Sequence, residues 1–300
     1  MKDASTARGL IALGAVLLIW SGITVVLKHL AGLVDPWSMI GVRYTAVTLV
    51  LAPLLWQASR RSPHRIPWKA ALIPALIYAP GQILWNIAPY HNPAALIMFI
   101  GRCAFFFSAV AGFTLLASER WLLRKRLFWA GFAVIVLGLG LLFAEAIHAD
   151  DSSEINLKGV LIMTATAACW GCYGVTLKRW LPGVPARIGF PLISLLTWPV
   201  LFGGFLIWGD VGTLQALTGN QWALLIGSGL VSIGLGQFLS YVCIQTIGPI
   251  VSEGSYNVIP FTSAAIAWWW LGESLTPLQW SAGCAIIAGS LCLLIVRARR

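Results

Sequence analysis

The chain has 300 residues, of which 59% are hydrophobic and only 10% charged, and it carries a formal net charge of +10. A soluble domain normally has about 25% charged residues, so a soluble fold of this size is excluded. The apolar residues come in runs of the length that crosses a hydrocarbon core of about 30 Å. The basic clusters, such as Arg124–Lys125–Arg126, sit in short connections between those runs. They report membrane orientation rather than nucleic-acid binding.

Ten spans are predicted in chain order, at 9–28, 37–57, 69–89, 93–117, 125–146, 158–179, 187–208, 221–245, 249–271 and 277–296. Lys2 and Arg8 precede the first, which lacks a small-residue cleavage site and reads as a retained span rather than a signal peptide. Proline, glycine and charge punctuate the rest, as at Asp35-Pro36, Arg60-Arg61-Ser62-Pro63, His91-Asn92-Pro93, Leu181-Pro182-Gly183 and Gly248-Pro249. The longest polar break, Ala146 to Leu157, carries Asp150, Asp151 and Glu154 and is too short for a domain. All six cysteines fall inside spans, and Cys169-x-x-Cys172 reads as small-residue packing rather than redox or metal chemistry. His91 reads as a turn residue, and the run Trp268-Trp269-Trp270 as an interfacial belt. There is no P-loop and no H-E-x-x-H, so no cofactor or metal is expected and the chain does not read as an enzyme.

Lysine and arginine are distributed unevenly between the two sides. The side of the N-terminus collects sixteen, from Lys2 and Arg8 through Arg60, Arg120, Lys178 and Arg187 to Arg297, Arg299 and Arg300, whereas the other holds Lys28 and Lys158. Both termini are therefore expected in the cytoplasm. The two halves, 1–148 and 149–300, also echo each other. Trp20 and Lys28 are matched by Trp170 and Lys178, Glu119 by Glu273, and Trp129 by Trp280. Five spans per half give an inverted-topology repeat, which in transporters builds the substrate site at the midplane.

Leu271-Gly-Glu-Ser-Leu-Thr-Pro-Leu-Gln-Trp280, followed by Gly283 and Gly289, resembles the end of an EamA domain of the drug/metabolite transporter superfamily. Trp20-Ser-Gly with Lys28, and Trp170-Gly with Lys178, resemble the start of each copy, and Arg43-Tyr44 resembles that family's Arg-aromatic position. The resemblance covers essentially the whole chain. It implies an all-α integral membrane protein of ten helices in two five-helix copies, often an exporter of amino acids or other metabolites in bacterial inner membranes. The first copy departs from the pattern after Glu119, where Arg-Trp-Leu-Leu-Arg-Lys-Arg follows, and Phe106 stands where the second copy has Pro260.

Charges inside hydrocarbon are expensive and usually face a cavity or a partner. Arg43, Arg102 and Glu253 qualify. Arg43 lies near the outer end of its span and is expected to snorkel or hold a neighbouring carbonyl. Arg102 falls near the midplane and Glu253 closer to the cytoplasmic side. Two readings stay open: an ion pair that joins helices, or a guanidinium and a carboxylate that grip the two ends of a zwitterion. Tyr78, Gln82, Trp85 and Asn86 in span three share a face, as do Gln237, Tyr241 and Gln245 in span eight, and Glu253, Tyr256, Asn257 and Pro260 in span nine. Trp20 and Trp170 are candidates for the same cavity wall. Glu119 and Glu273 are expected to cap or pair locally.

The expected function is alternating-access transport, outward, of a small organic metabolite such as an amino acid. The bilayer is its partner, a proton on Glu253 its candidate coupling ion, and a monomer is sufficient. The rival within transport is a carrier of hydrophobic cations or drugs, in which Glu253 and the aromatic residues dominate. A membrane enzyme would need paired catalytic groups at one interface, which the sequence lacks.

Overall fold

The structure is a computed structural model that describes residues 2–60, 66–91, 100–149, 157–263, 265 and 276–299. The described elements are helical. They are α1 (Lys2–Ala31), α2 (Pro36–Arg60), α3 (Trp68–Ile87), α4 (Ala104–Leu115), α5 (Arg126–Ala149), α6 (Leu157–Trp180), α7 (Ala186–Trp208), the short α8 (Val211–Gln215), α9 (Gly219–Thr246), α10 (Pro249–Tyr256) and α11 (Pro277–Ala298). Among the described residues, seven helical segments are long and apolar enough to cross a membrane, and Ala104–Leu115 and Arg126–Leu141 are shorter apolar helices. Leu18 is 71% exposed and Leu76 68%. Such side chains on the outer faces suit a lipid solvent, not water. Glu273, the Trp268–Trp270 run, Asn92, Pro93 and most of the break before Leu157 lie outside the described residues.

The helices associate in pairs along their length: α2 against α7, α5 against α11, α3 and α4 against α6, and α1 against α9. Lipid tails give helices no hydrophobic reason to associate, so close backbone approach has to supply the contact. Gly171 provides it between α6 and α4, where a Cβ would fall 2.4 Å from the Ala104 carbonyl oxygen and 2.7 Å from the Ser108 nitrogen. Cys169 packs on the glycine of α3, 2.9 Å from where a Cβ of Gly81 would stand. Two large apolar clusters result, and each draws on helices from before and after residue 148.

Polar ties hold the two ends of the bundle. At one end, Asp35 caps α2 by accepting from the backbone nitrogens of Trp37 (2.9 Å) and Ser38 (3.0 Å). Its other oxygen accepts from the Asp210 nitrogen (3.1 Å) and the Thr213 hydroxyl (3.2 Å), joining the α1–α2 turn to α8. Burial alone pushes the Asp35 carboxyl up, but its bonds from Ser38, Asp210 and Thr213 outweigh that and hold it below the ordinary carboxylate value. Tyr90 donates to the Val34 carbonyl (2.9 Å) at the same end. At the opposite end, Arg297 lies 3.6 Å from Glu119. Lys178 donates to the Gln245 carbonyl, and the Gln245 amide donates to the Leu181 carbonyl (2.9 Å). Glu119 is 1% exposed, and its ion-pair partner lies far along the chain.

Three helices are interrupted where they approach the middle of the bundle. Span four was expected to run unbroken, but a turn at Arg102 and Cys103 separates residues 100–101 from α4, with Cys103 N donating to Ile100 O (3.0 Å) and Phe106 N to Cys103 O (2.9 Å). α10 ends at Tyr256, and a turn at Asn257 and Val258 precedes residues 259–263. Pro260 has no N–H to give the Tyr256 carbonyl four residues back, which is the physical cause of that break. α9 contains a π-helical stretch, Gly229–Gly236, rich in glycine. Stretches of this kind recur at functional sites because they displace side chains and loosen the backbone ladder.

Candidate functional site

The three interruptions converge on one cavity of about 100 Å³. α1 contributes Trp20, Ile23 and Leu27, and α3 contributes Tyr78, Gln82 and Trp85. Trp170 and Tyr173 come from α6, and Ser232, Ile233, Gln237, Ser240 and Ile244 from α9. Arg43, Arg102, Glu253, Tyr256 and Ile259 complete the wall. Aromatic pairs frame it: Trp20 meets Tyr256 edge-on with ring centres 5.0 Å apart, and Trp85 and Trp170 lie 4.8 Å apart.

Arg102 donates through Nη1 to the Tyr256 carbonyl at 2.9 Å, the oxygen that Pro260 leaves without its helical partner. Its Nε is buried with no partner among the described residues. Glu253 lines the same cavity and is the carboxylate that acts on Arg102 electrostatically. Among the described residues no carboxylate oxygen comes within 4.0 Å of Arg102, so the two do not form an ion pair. The Tyr256 hydroxyl donates to Ser240 (3.0 Å), and Trp20 Nε1 donates to the carbonyl of Ser232 in the π stretch (3.1 Å). Tyr78 accepts from the Tyr44 hydroxyl (2.8 Å), while the Tyr173 hydroxyl and the Trp170 indole nitrogen are buried without partners among the described residues. The side chains of Gln82 and Gln237 make no hydrogen bond to other described residues. The wall thus combines unspent donors, two amides and one carboxylate on an aromatic frame.

Nine of the twelve residues singled out from sequence line this cavity: Arg102, Glu253, Trp20, Trp170, Tyr78, Gln82, Trp85, Gln237 and Tyr256. Three do not. The Asn86 amide turns back to the Gln82 carbonyl (2.8 Å), and Tyr241 donates to the Val184 carbonyl (3.2 Å) across to the α6–α7 turn. Asn257 is buried in the turn after α10, with Nδ2 unpartnered. The reason is angular. Four residues advance a helix by about 400°, so Tyr241 and Gln245 drift progressively from the face of Gln237. Ser240 and Ile244, at steps of three and seven, hold it.

Arg43 was missed as a wall residue. Depth along span two suggested snorkelling or a carbonyl partner, but Arg43 is 2% exposed and donates through Nη2 to the Ser232 hydroxyl at 2.8 Å. Its direction was unreadable because Ser232 reaches it only through the π stretch, whose register sequence periodicity does not reveal.

Two segments of the chain, 7–144 and 157–295, match the model of the EamA-like transporter family. The chain belongs to that family. A protein of Salmonella typhimurium (strain LT2) described as "Probable amino-acid metabolite efflux pump" is 25% identical over 95% of this chain and 94% of its own length. The protein "Uncharacterized inner membrane transporter YedA" of Escherichia coli (strain K12) is 26% identical over 90% of this chain and 85% of its own. A solved crystal structure superposes with a TM-score of 0.70 at 18% identity, covering 99% of both chains, which shows the fold. EamA-like membership and apolar helices together make this a multi-pass membrane transporter rather than an enzyme.

Proposed function

We propose that this EamA-like protein is a secondary transporter that exports a small zwitterionic metabolite, an amino acid or close analogue, across a bacterial inner membrane by alternating access. One observation carries the reading: a guanidinium and a carboxylate, Arg102 and Glu253, face one cavity without pairing with each other. Arg102 holds the carboxylate of the cargo, Glu253 its amine or a coupling proton, and Gln82, Gln237 and the aromatic frame the remainder. Arginine's planar fork suits a carboxylate, and a desolvated cavity strengthens both contacts.

The proposed architecture is ten helices in two inverted five-helix repeats, 1–148 and 149–300, with both termini cytoplasmic. Its support is the twice-matched family model and a symmetric pairing of helices. α1 lies on α9 as α6 lies on α3, while α2 meets α7 and α5 meets α11. Both repeats lie in one chain, so one copy suffices.

A second reading, a carrier of hydrophobic cations, is favoured by the spending of Arg102 Nη1 on a backbone carbonyl and by the indole-rich frame. Uptake of labelled amino acids and of a lipophilic cation into proteoliposomes separates the two. The zwitterion reading expects Arg102→Ala and Glu253→Gln each to abolish amino-acid uptake. Cation uptake that survives Arg102→Ala and fails with Glu253→Gln supports the rival instead.

A further inference from the structure

We propose that the cargo carries a second acid group, for a net charge of −1, and that Arg43 is the residue that selects it. This rests on the transport reading above and narrows it to acidic zwitterions such as aspartate or glutamate.

The charge balance of the cavity is the starting point. Two guanidiniums, Arg43 and Arg102, line it against one carboxylate, Glu253. Both arginines are withdrawn from lipid and water, at 2% and 9% exposure. Neither has a carboxylate oxygen within 4.0 Å among the described residues. The titratable groups that act on Arg43 are Tyr44 and Tyr78, which are phenols. A buried charge without a counter-charge is strongly unfavourable. A neutral amino acid, with its carboxylate on Arg102 and its amine on Glu253, leaves Arg43 uncompensated. A second acid group balances the set.

Geometry leaves Arg43 ready for that group. The Ser232 hydroxyl gives its proton to the Ser228 carbonyl (2.7 Å), so it meets Arg43 as a neutral acceptor. Among the described residues that is the one hydrogen bond of the guanidinium, and Nε is buried without a partner. An arginine has five N–H donors, so most remain unspent. The backbones are close here: a Cβ on Gly229 would lie 3.0 Å from the Arg43 carbonyl oxygen and 3.0 Å from its Cβ, so a larger residue in the π stretch would press on α2 at Arg43. From Ser232 the wall continues through Trp20 to Tyr256 and then Arg102. Arg43 thus connects to the Trp20–Tyr256 pair through Ser232, and Arg102 through the Tyr256 carbonyl, and the proposed ligand lies along those rings between the two.

The test is competition for uptake into proteoliposomes by matched pairs, glutamate against glutamine and aspartate against asparagine. The wild type is expected to favour the acid over its amide by about tenfold or more, the scale of one charge-assisted hydrogen bond. Arg43→Gln should erase that preference, acid and amide then competing equally. Arg43→Lys, which keeps the charge, should retain it and covers the case of a poorly folded Gln variant. Equal or better uptake of the amides by wild type overturns this inference and leaves the transport reading standing. So does an equal loss of acid and amide uptake in both Arg43 variants. A wild type that moves neither acids nor amides overturns this inference, and the uptake experiment under the proposed function then decides the transport reading.

Discussion

Replacing Arg102 with Gln should destabilise the protein in a way that depends on a proline on another helix. Arg102 donates to the Tyr256 carbonyl at 2.9 Å, in a buried setting. That oxygen lacks its helical donor because residue 260 is Pro, which has no N–H. A hydrogen bond to a charged group contributes about 1.5–3 kcal/mol, so Arg102→Gln alone should lower unfolding free energy by roughly that amount. Pro260→Ala restores an amide hydrogen four residues from Tyr256 and supplies the missing donor from within the helix. In that background the cost of Arg102→Gln should shrink by about 1 kcal/mol or more, a coupling typical of groups sharing one partner. Reversible unfolding of the four proteins in mixed micelles gives the double-mutant cycle. Additive costs in that cycle would refute the assignment of Arg102 as the donor that replaces Pro260.

Asp35 links two loops at one end of the bundle, so Asp35→Ala should cost about 1 kcal/mol at neutral pH, as for other N-caps. Its folded carboxyl lies below its ordinary value, so its stabilisation is present above about pH 4 and is lost as pH falls through the folded value. Thermal melts from pH 7 to pH 3 should show wild type and Asp35→Ala converging, and a constant gap would contradict this. Gly171→Leu should cost at least about 1–3 kcal/mol by overpacking, since even a Cβ meets the Ala104 carbonyl oxygen at 2.4 Å. Gly203→Ala in α7, where no described atom lies within 4 Å of the added Cβ, is the control and should melt no lower than wild type.

The membrane class and the run of helices were legible because hydrocarbon thickness leaves only a narrow choice of apolar length. α2, α7 and α11 stand within a few residues of their expected bounds. The charged wall was legible for a related reason: Arg102 and Glu253 are too costly to leave in lipid without a use. What escaped was local helix geometry. The break at Arg102 has no proline to announce it, because Phe106 stands where the second half has Pro260. The π stretch at Gly229–Gly236 offered only its glycines as a signal, and it carries the Ser232 that meets Arg43. Tyr241 and Asn86 were misplaced because spacing gives a face only to within tens of degrees. At that precision, a nearby backbone carbonyl on a neighbouring turn decides where a polar side chain goes.

The central claim is that the cavity passes a zwitterion across the membrane by exposing it to one side at a time. Counterflow into proteoliposomes tests it most directly, with external labelled amino acid and an excess of the same unlabelled amino acid inside. Alternating access predicts transient accumulation of label above equilibrium, lost in Glu253→Gln. Label that only equilibrates, at a rate indifferent to the internal amino acid, would contradict it.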